Sequence, residues 1–356
     1  MSLAIRPAYI VGLAALVALP FLIRYGFPAS EKYYLHLLIQ ILLWAYMYTA
    51  WSLMGRFGLT SFGHSAFTGI GAYVTVMLWN FGGVTPLIGI PIAVVMATLA
   101  GMLVGYPCFT RKITGHYFAL LTLAFTEFVR LCIVGLRDWT GGSLGTQPKR
   151  YGDGLSIYAV QFEPDRLIAY FIALVLWLFG LYVWLRVDRS MDRYALDAAS
   201  QDEDAASSVG INVTREKLKI TALSSGLSAL GGAIFGQYQM YIGPDTIAGL
   251  SVSLNMVFAV IAGGMWTLFG PTFGAVFTQA LTEGLRLMVQ SDVFKAALGG
   301  FNRFMSQFFT GFEIKSSSML TLDTLIYGLL LILFIIYMPR GILGTIIERW
   351  QRRSRS

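Results

Sequence analysis

The sequence predicts an all-α polytopic membrane protein of about ten transmembrane segments, in a single domain over residues 1–356. Three observations carry that expectation. The chain is 56% hydrophobic and 13% charged, with a mean hydropathy of +0.65, whereas a soluble chain carries about 25% charged residues. The apolar residues gather into runs close to the ~20 that a helix needs to cross the hydrocarbon layer. One long charged island, residues 188–219, stands alone between such runs; a protein that lives in lipid keeps so large a polar loop when something in the water uses it.

In chain order the apolar runs are 8–24, 33–54, 59–79, 84–107, 116–136, 166–187, 218–242, 247–268, 271–291 and 324–340. The first follows Arg6 as a signal peptide would, but no A-x-A-like cleavage site follows and the run continues to Arg24, so it reads as a retained helix. The third holds Gly63, Gly69 and Gly71 among Thr60, Ser61, His64, Ser65 and Thr68. Small residues allow close helix packing and hydroxyls satisfy carbonyls where a helix breaks, so this run is either a discontinuous element or a tightly packed full-length helix. The net charge of +7 is scattered at the ends of apolar runs, which makes the basic residues topology signals and argues against a nucleic-acid partner.

With both termini cytoplasmic, the inner side carries Arg6, Arg56, Arg111, Lys112, the basic residues of 186–219 and the tail from Arg340. This set outnumbers the outer one of Arg24, Lys32, Arg137, Lys149, Arg150, Arg166, Lys295, Arg303 and Lys315. Residues 188–218 then form a cytoplasmic loop, and 137–165 and 292–323 the larger external loops. An internal echo accompanies this layout: TLAFTEFVRL at 122–131 and TQALTEGLRL at 278–287 share Thr-x-Ala-x-Thr-Glu-x-x-Arg-Leu. The copies lie four expected spans apart, as a tandem, parallel repeat requires, and transporters often place the solute path between repeats.

Glu127 and Glu283 each precede an arginine by three residues, Arg130 and Arg286. A lone charge near mid-span costs at least ~2.5–3.5 kcal/mol, and i, i+3 pairing lowers that cost. Each pair either lines a solute path or locks its helix to a neighbour. His64, Ser65 and Asn255 join them as candidate path residues, and Ser224, Ser225, Ser228, Gln237, Gln239, Ser251 and Ser253 add uncharged polarity. His36, His64, His116, Cys108 and Cys132 lack metal-ligand spacing, so no metal site or disulfide framework is expected. No G-x-x-x-x-G-K-[ST] is present, so an ATP-driven process would need another chain as its ATPase.

Within 191–210 the island has helix-forming composition, with alanines interleaved among acidic residues and Gly210 as a stop. One short amphipathic helix is expected there, with Ala198, Ala199, Asp202, Glu203, Asp204, Ala205, Ala206 and Gly210 as the candidate docking residues for a soluble partner.

The blocks SFGHSAFTGIGAY at 61–73, GHYFALLTLAFTEFVRL at 115–131, TGGSLG at 140–145, DEDAASSVGINVTREKLK in the island, GGAIFG at 231–236, FAVIAGGMWTLFGPTFGA at 258–275 and MPRGILG at 338–344 are in order along the chain. In these the chain resembles the permease subunits of ATP-binding-cassette importers for branched-chain amino acids, in particular the LivM-type member. The resemblance implies a bacterial inner-membrane permease that binds no cofactor itself. Its partners would be a second homologous permease, two cytoplasmic ATPase subunits that bind ATP and Mg, and a periplasmic solute-binding protein. The island matches the family's cytoplasmic loop, and Asp204-Ala205-Ala206 followed by Gly210 is similar to the Glu-Ala-Ala-x3-Gly coupling signature of other importers. The polar stretch 146–165 and FNRFMSQFFTGFEIKSSS within 292–323 depart from that pattern, so the solute stays open among amino acids, amides and urea. The rival reading is an autonomous ion-coupled carrier using its intramembrane carboxylates; such a carrier has no need of the island.

Overall fold

The computed structural model describes residues 7–152, 155–162 and 165–291, with single positions 296, 328 and 329. The expected segment 324–340, the body of the 292–323 loop and the tail lie outside the described residues. In order, the chain forms α1 (Pro7–Gly26), a 3-10 turn (Pro28–Ser30), α2 (Glu31–Gly55), α3 (His64–Gly82), α4 (Pro86–Thr110), α5 (Gly115–Gly135) and α6 (Arg137–Thr140). A two-strand hairpin follows, β1 (Leu155–Ser156) antiparallel to β2 (Gln161–Phe162). Then come α7 (Arg166–Asp188), α8 (Met191–Gln201), α9 (Glu203–Ser208), α10 (Val213–Gln239), α11 (Pro244–Ile247), α12 (Leu250–Gly263) and α13 (Gly270–Gln290).

Six helices among the described residues are long and apolar enough to cross a membrane: α2 with its leading turn, α4, α5, α7, α10, and α11 joined to α12. The chain is a multi-pass membrane protein. Three other expected segments are helical but fall short of that measure: α1, whose apolar stretch is Val11–Gly26, and α3 and α13. The reason in α3 is its His64, Ser65, Thr68, Tyr73 and Thr75, all buried in protein, where polarity is tolerated because neighbours supply the partners. In α13 it is Thr278, Thr282, Glu283 and Arg286.

Of the third run, residues 59–63 are irregular and the helix begins at His64. That backbone is buried and held by side chains. Trp51 Nε1 donates to the Ser61 carbonyl at 2.8 Å, Phe62 N to Thr122 Oγ1 at 3.0 Å, and Thr126 Oγ1 to the Phe62 carbonyl at 2.7 Å. Non-helical backbone survives at membrane depth only where protein or water satisfies it.

The chain divides into two compact units, Met1–Val257 and Phe258–Ser356. In the first, α10 packs against α3, α4 and α2. The α3 contact is backbone on backbone in both directions: a Cβ on Gly71 would stand 2.0 Å from the Ala229 carbonyl oxygen, and one on Gly232 would stand 2.1 Å from that of Thr68. From α4 a stripe at every fourth position, Gly89, Ala93, Ala97, Gly101 and Gly105, is buried, the spacing that keeps residues on one helix face. The opposite face exposes Leu99, Leu103 and Tyr106, and α5 exposes Leu120, Phe128 and Leu131. Such continuous apolar faces match lipid rather than water.

In the second unit, α13 returns along the end of α12 by the same device. A Cβ on Gly274 would lie 2.0 Å from the Ala259 carbonyl oxygen and one on Gly263 would lie 1.9 Å from that of Gly270. Gly264, at φ +114°, makes the turn between them.

Overpacking a tight core contact costs about 1–3 kcal/mol or more. Gly232→Ala and Gly71→Ala should each lower detergent-phase thermal stability by at least that much. Gly284→Ala, where a Cβ meets nothing within 4 Å, should be neutral or stabilising by up to about 1 kcal/mol because alanine is the better helix former.

Candidate functional site

Two regions collect the chemistry-bearing side chains of the first unit: the charged island and a buried polar seam. The single helix expected over 191–210 is instead two, α8 and α9, broken at Asp202. Asp202 is extended, at φ −153° and ψ 111°, and its side chain accepts from the backbone N–H groups of Asp204 and Ala205, both at 2.9 Å. Aspartate is a strong N-cap, and the Asp202-Glu203-Asp204 run suits a helix start, where the dipole favours negative charge. The acidic cluster therefore opens a new helix rather than extending the old one. At the other end Gly210, at φ +91°, closes α9, with Ile211 N donating to the Ala206 carbonyl at 3.2 Å and Gly210 N to that of Ser207 at 3.0 Å. This is the paired bond pattern of a glycine-ended helix.

Leu196, Ala199 and Ala206 face inward, while Ala198 and Glu203 are half-buried and Asp202, Asp204, Ala205 and Gly210 are exposed. Three large apolar side chains of the island stand outward: Met191 is 83% exposed, Tyr194 66% and Val209 78%. The charges are tied within the chain. Glu203 pairs with Lys217 of α10, and Asp204 with Lys112 of the α4–α5 turn, whose ammonium its carboxylate holds above the ordinary lysine range. Asp188 receives Arg56 at 3.1 Å and Arg193 at 3.0 Å. Burial pushes the Arg56 guanidinium down to about 10 while Asp188 opposes the shift, so it stays charged at neutral pH. It stacks on Trp184 at 4.3 Å and Phe57 at 4.7 Å. A cleft of about 380 Å³ lies beside the island, between Phe109, Lys112, Glu203, Gly210, Asn212 and Thr214.

The seam runs between α2, α3, α10 and α12. Ser224 Oγ donates to the Ala50 carbonyl at 2.7 Å, and that spends its one proton. The 2.8 Å bond between His64 Nε2 and Ser224 Oγ then needs the proton on the imidazole. His64 therefore donates from Nε2–H; fully buried and bonded to no carboxylate among the described residues, the ring is neutral, and its Nδ1 finds no partner there. Ser253 Oγ accepts from Ser65 N at 2.9 Å and donates to Ser65 Oγ at 2.7 Å. His64, Ser65, Ser224 and Ser253 are each 0% exposed. Ser225 and Ser228 are buried as well, whereas Gln239 and Ser251 are exposed and Asn255 is half-buried.

The remaining candidates lie elsewhere. Both acid and arginine pairs expected at i, i+3 form, Glu127 with Arg130 and, in the second unit, Glu283 with Arg286 at 3.8 Å. Arg130 also reaches Asp245 of α11 at 3.1 Å, a partner that sequence reasoning missed because it is 115 residues away. Glu203–Lys217 and Asp204–Lys112, 14 and 92 residues apart, were missed because each joins two different elements. Near the end of α10 a cavity of about 30 Å³ lies among Ile39, Leu43, Ile172, Ile234, Gln237 and Tyr238. The Gln237 amide there is 2% exposed, with both polar atoms unpaired among the described residues.

The family described as "Branched-chain amino acid transport system / permease component" matches residues 33–335. The chain belongs to this permease family. Within the family it is similar to the protein of Salmonella typhimurium named "High-affinity branched-chain amino acid transport system permease protein LivM", at 29% identity over 252 residues, 65% of this chain and 59% of that one. The Escherichia coli protein of the same name matches to the same extent. A "Fructose import permease protein FrcC" of Rhizobium meliloti is 28% identical over 141 residues, 38% of each chain. The match thus spans about 59% of the length of the LivM relatives. No solved structure matches the chain.

Removing a buried acceptor strands its donor at a cost of about 1–3 kcal/mol. Ser224→Ala should therefore lower detergent-phase stability by that amount through His64. Ser225→Ala should cost less, about 1 kcal/mol or below, since among the described residues the buried Ser225 hydroxyl bonds back to Ala222 of its own helix, at 3.1 Å, and strands no partner.

Proposed function

We propose that this chain is the permease subunit of an ATP-binding-cassette importer that carries branched-chain amino acids or related small polar solutes across a bacterial inner membrane. In this reading both termini and the island are cytoplasmic, and residues 137–165 and 292–323 face the periplasm. Two ATPase subunits holding ATP and Mg, a second homologous permease and a periplasmic binding protein complete the assembly. Family membership supports the transport role, and the LivM relatives support the amino-acid class. The fructose permease among the relatives keeps the solute at class level, because one permease architecture serves chemically different cargo.

The island is the observation that carries the ATPase partnership. Between Asp188 and Val213 it lies outside the helices long enough to cross a membrane and consists of two short helices with fixed ends, and its last residues open α10. It also exposes Met191, Tyr194 and Val209, which lipid does not reward in an aqueous loop and a docking groove does. Ala198, Ala199, Asp202, Glu203, Asp204, Ala205, Ala206 and Gly210 build its frame, and ATP-driven closure of the ATPase pair would move it. His64, Ser65, Asn255, Glu127, Arg130, Glu283 and Arg286 are then the residues that either line the solute path or hold the helices around it. The packed seam supports the holding role for His64 and Ser65, and the Asp245 link supports it for Arg130.

A pull-down from detergent-solubilised native membranes, comparing wild type with a chain lacking Ala198–Gly210, tests the assembly. An ATPase is expected with the wild type alone; its absence from a stable, monodisperse wild-type preparation would sink the proposal. Gly210→Val tests the island itself, because a β-branched residue is strained at φ +91°. Uptake should be lost with expression intact, and wild-type uptake in that variant would refute the coupling role.

A further inference from the structure

We propose that the Glu203–Lys217 ion pair is the strap through which the island moves α10, and that Lys217 is a positioning residue for transport. This inference rests on the coupling role assigned to the island above. Among the described residues two ion pairs tie α9 to the bundle, and their surroundings differ sharply. The Lys112 and Asp204 side chains are 65% and 81% exposed, whereas those of Lys217 and Glu203 are 5% and 22% exposed. An exposed pair is screened by salt and yields to water, so it transmits little; a pair withdrawn from water is not easily replaced by solvent, and separating it strands a buried charge. Of the two links, the buried one is able to carry displacement.

Its placement suits that role. Lys217 Nζ lies 5.8 Å from the centre of the Phe109 ring at the end of α4, so the pair sits where α4, α9 and α10 meet. α9 is a short rigid piece with a non-helical joint at each end, extended Asp202 and left-handed Gly210. A push on α9 therefore need not be absorbed by bending it. On the receiving side Lys217 belongs to an unbroken 27-residue helix. Two turns further along, at about 1.5 Å per residue, the same helix carries Ser224 against His64, and beyond it Gly232 against α3. Motion delivered at Lys217 reaches the polar seam without crossing a loop.

The test uses the assembled transporter with its ATPases and binding protein in proteoliposomes. The amino-acid probe is leucine, or another aliphatic or polar amino acid that the wild-type complex imports, and the reading is solute imported per ATP hydrolysed. Glu203→Gln and Lys217→Gln should retain the ATPase and continue to hydrolyse ATP while that ratio falls at least tenfold. The exchange Glu203→Lys with Lys217→Glu should recover most of it, which assigns the loss to the pair rather than to either side chain alone; continued ATP hydrolysis in the single variants separates uncoupling from a purely structural loss. Lys112→Gln, which breaks the exposed pair from its far side, should stay within twofold of wild type. Should the neutral variants fail to accumulate, Glu203→Asp, which keeps the charge and shortens the reach, should lower the ratio with folding intact. A wild-type ratio in Glu203→Gln or in Glu203→Asp overturns the strap. Failure of the wild type itself to retain an ATPase overturns the coupling reading beneath it, so the two failures are separable.

Discussion

The first unit depends on how closely α10 approaches α3. Gly71 and Gly232 let each backbone touch the other helix's carbonyl, and that distance sets everything flanking it. It brings His64 within a hydrogen bond of Ser224, leaves Thr68 able to donate to the Ile247 carbonyl at 2.9 Å, and seats Gly101 of α4 over Ser225. In lipid, helices gain little from burying apolar surface against one another, because the tails are as apolar as leucine. Close van der Waals contact and satisfied polar groups must supply the association instead. Glycine at the contact and serine or threonine beside it provide both, which is why the most buried helices here are not the most apolar ones.

The same constraint explains what was legible in the sequence. Runs facing lipid on one side were placed to within three residues: the expected 84–107 became Pro86–Thr110, 116–136 became Gly115–Gly135, and 166–187 became Arg166–Asp188. These helices need length and apolarity, and hydropathy measures both. Where polar or charged residues stand at the start of a protein-wrapped helix, the apolar run and the helix start part company, in either direction. α3 starts at His64 rather than residue 59, and α10 starts at Val213 rather than residue 218. Arg215, Lys217 and Lys219 cut the apolar run short on paper. In the folded chain Lys217 meets Glu203 and Lys219 meets Glu216, so two of these charges are compensated and the helix continues through them.

The site was less legible than the fold, and the difference is one of range. Contacts at i, i+3 or i, i+4 belong to the helix itself, and the pairs Glu127–Arg130 and Glu283–Arg286 followed from spacing alone. The break at Asp202 was also local: an aspartate followed by Glu203 and Asp204 is an N-cap signal, outweighed in the reading by the alanines on either side. The contacts that join elements were out of reach. Arg130 to Asp245, Arg56 to Asp188 and Ser65 to Ser253 span 115, 132 and 188 residues. No local pattern distinguishes these partners from the neighbours that do not meet.

Charge and polarity are sorted along the first unit according to what each costs to bury. The seam at its centre is polar but uncharged, with hydroxyls and a neutral imidazole whose bonds are each worth about 1 kcal/mol net. Full charges stand at helix ends or in loops, where Arg56 meets Asp188 under the ring of Trp184 and Glu203 meets Lys217. Arg130, with Glu127 beside it on the same helix, departs from that pattern. It lies within α5, its side chain is 26% exposed, and it holds two carboxylates, Glu127 from its own helix and Asp245 from α11. A guanidinium in that setting survives because its forked donors serve both acids at once. A lysine could satisfy either acid as a point charge but not fix the geometry between them, so the link between α5 and α11 is specific to arginine.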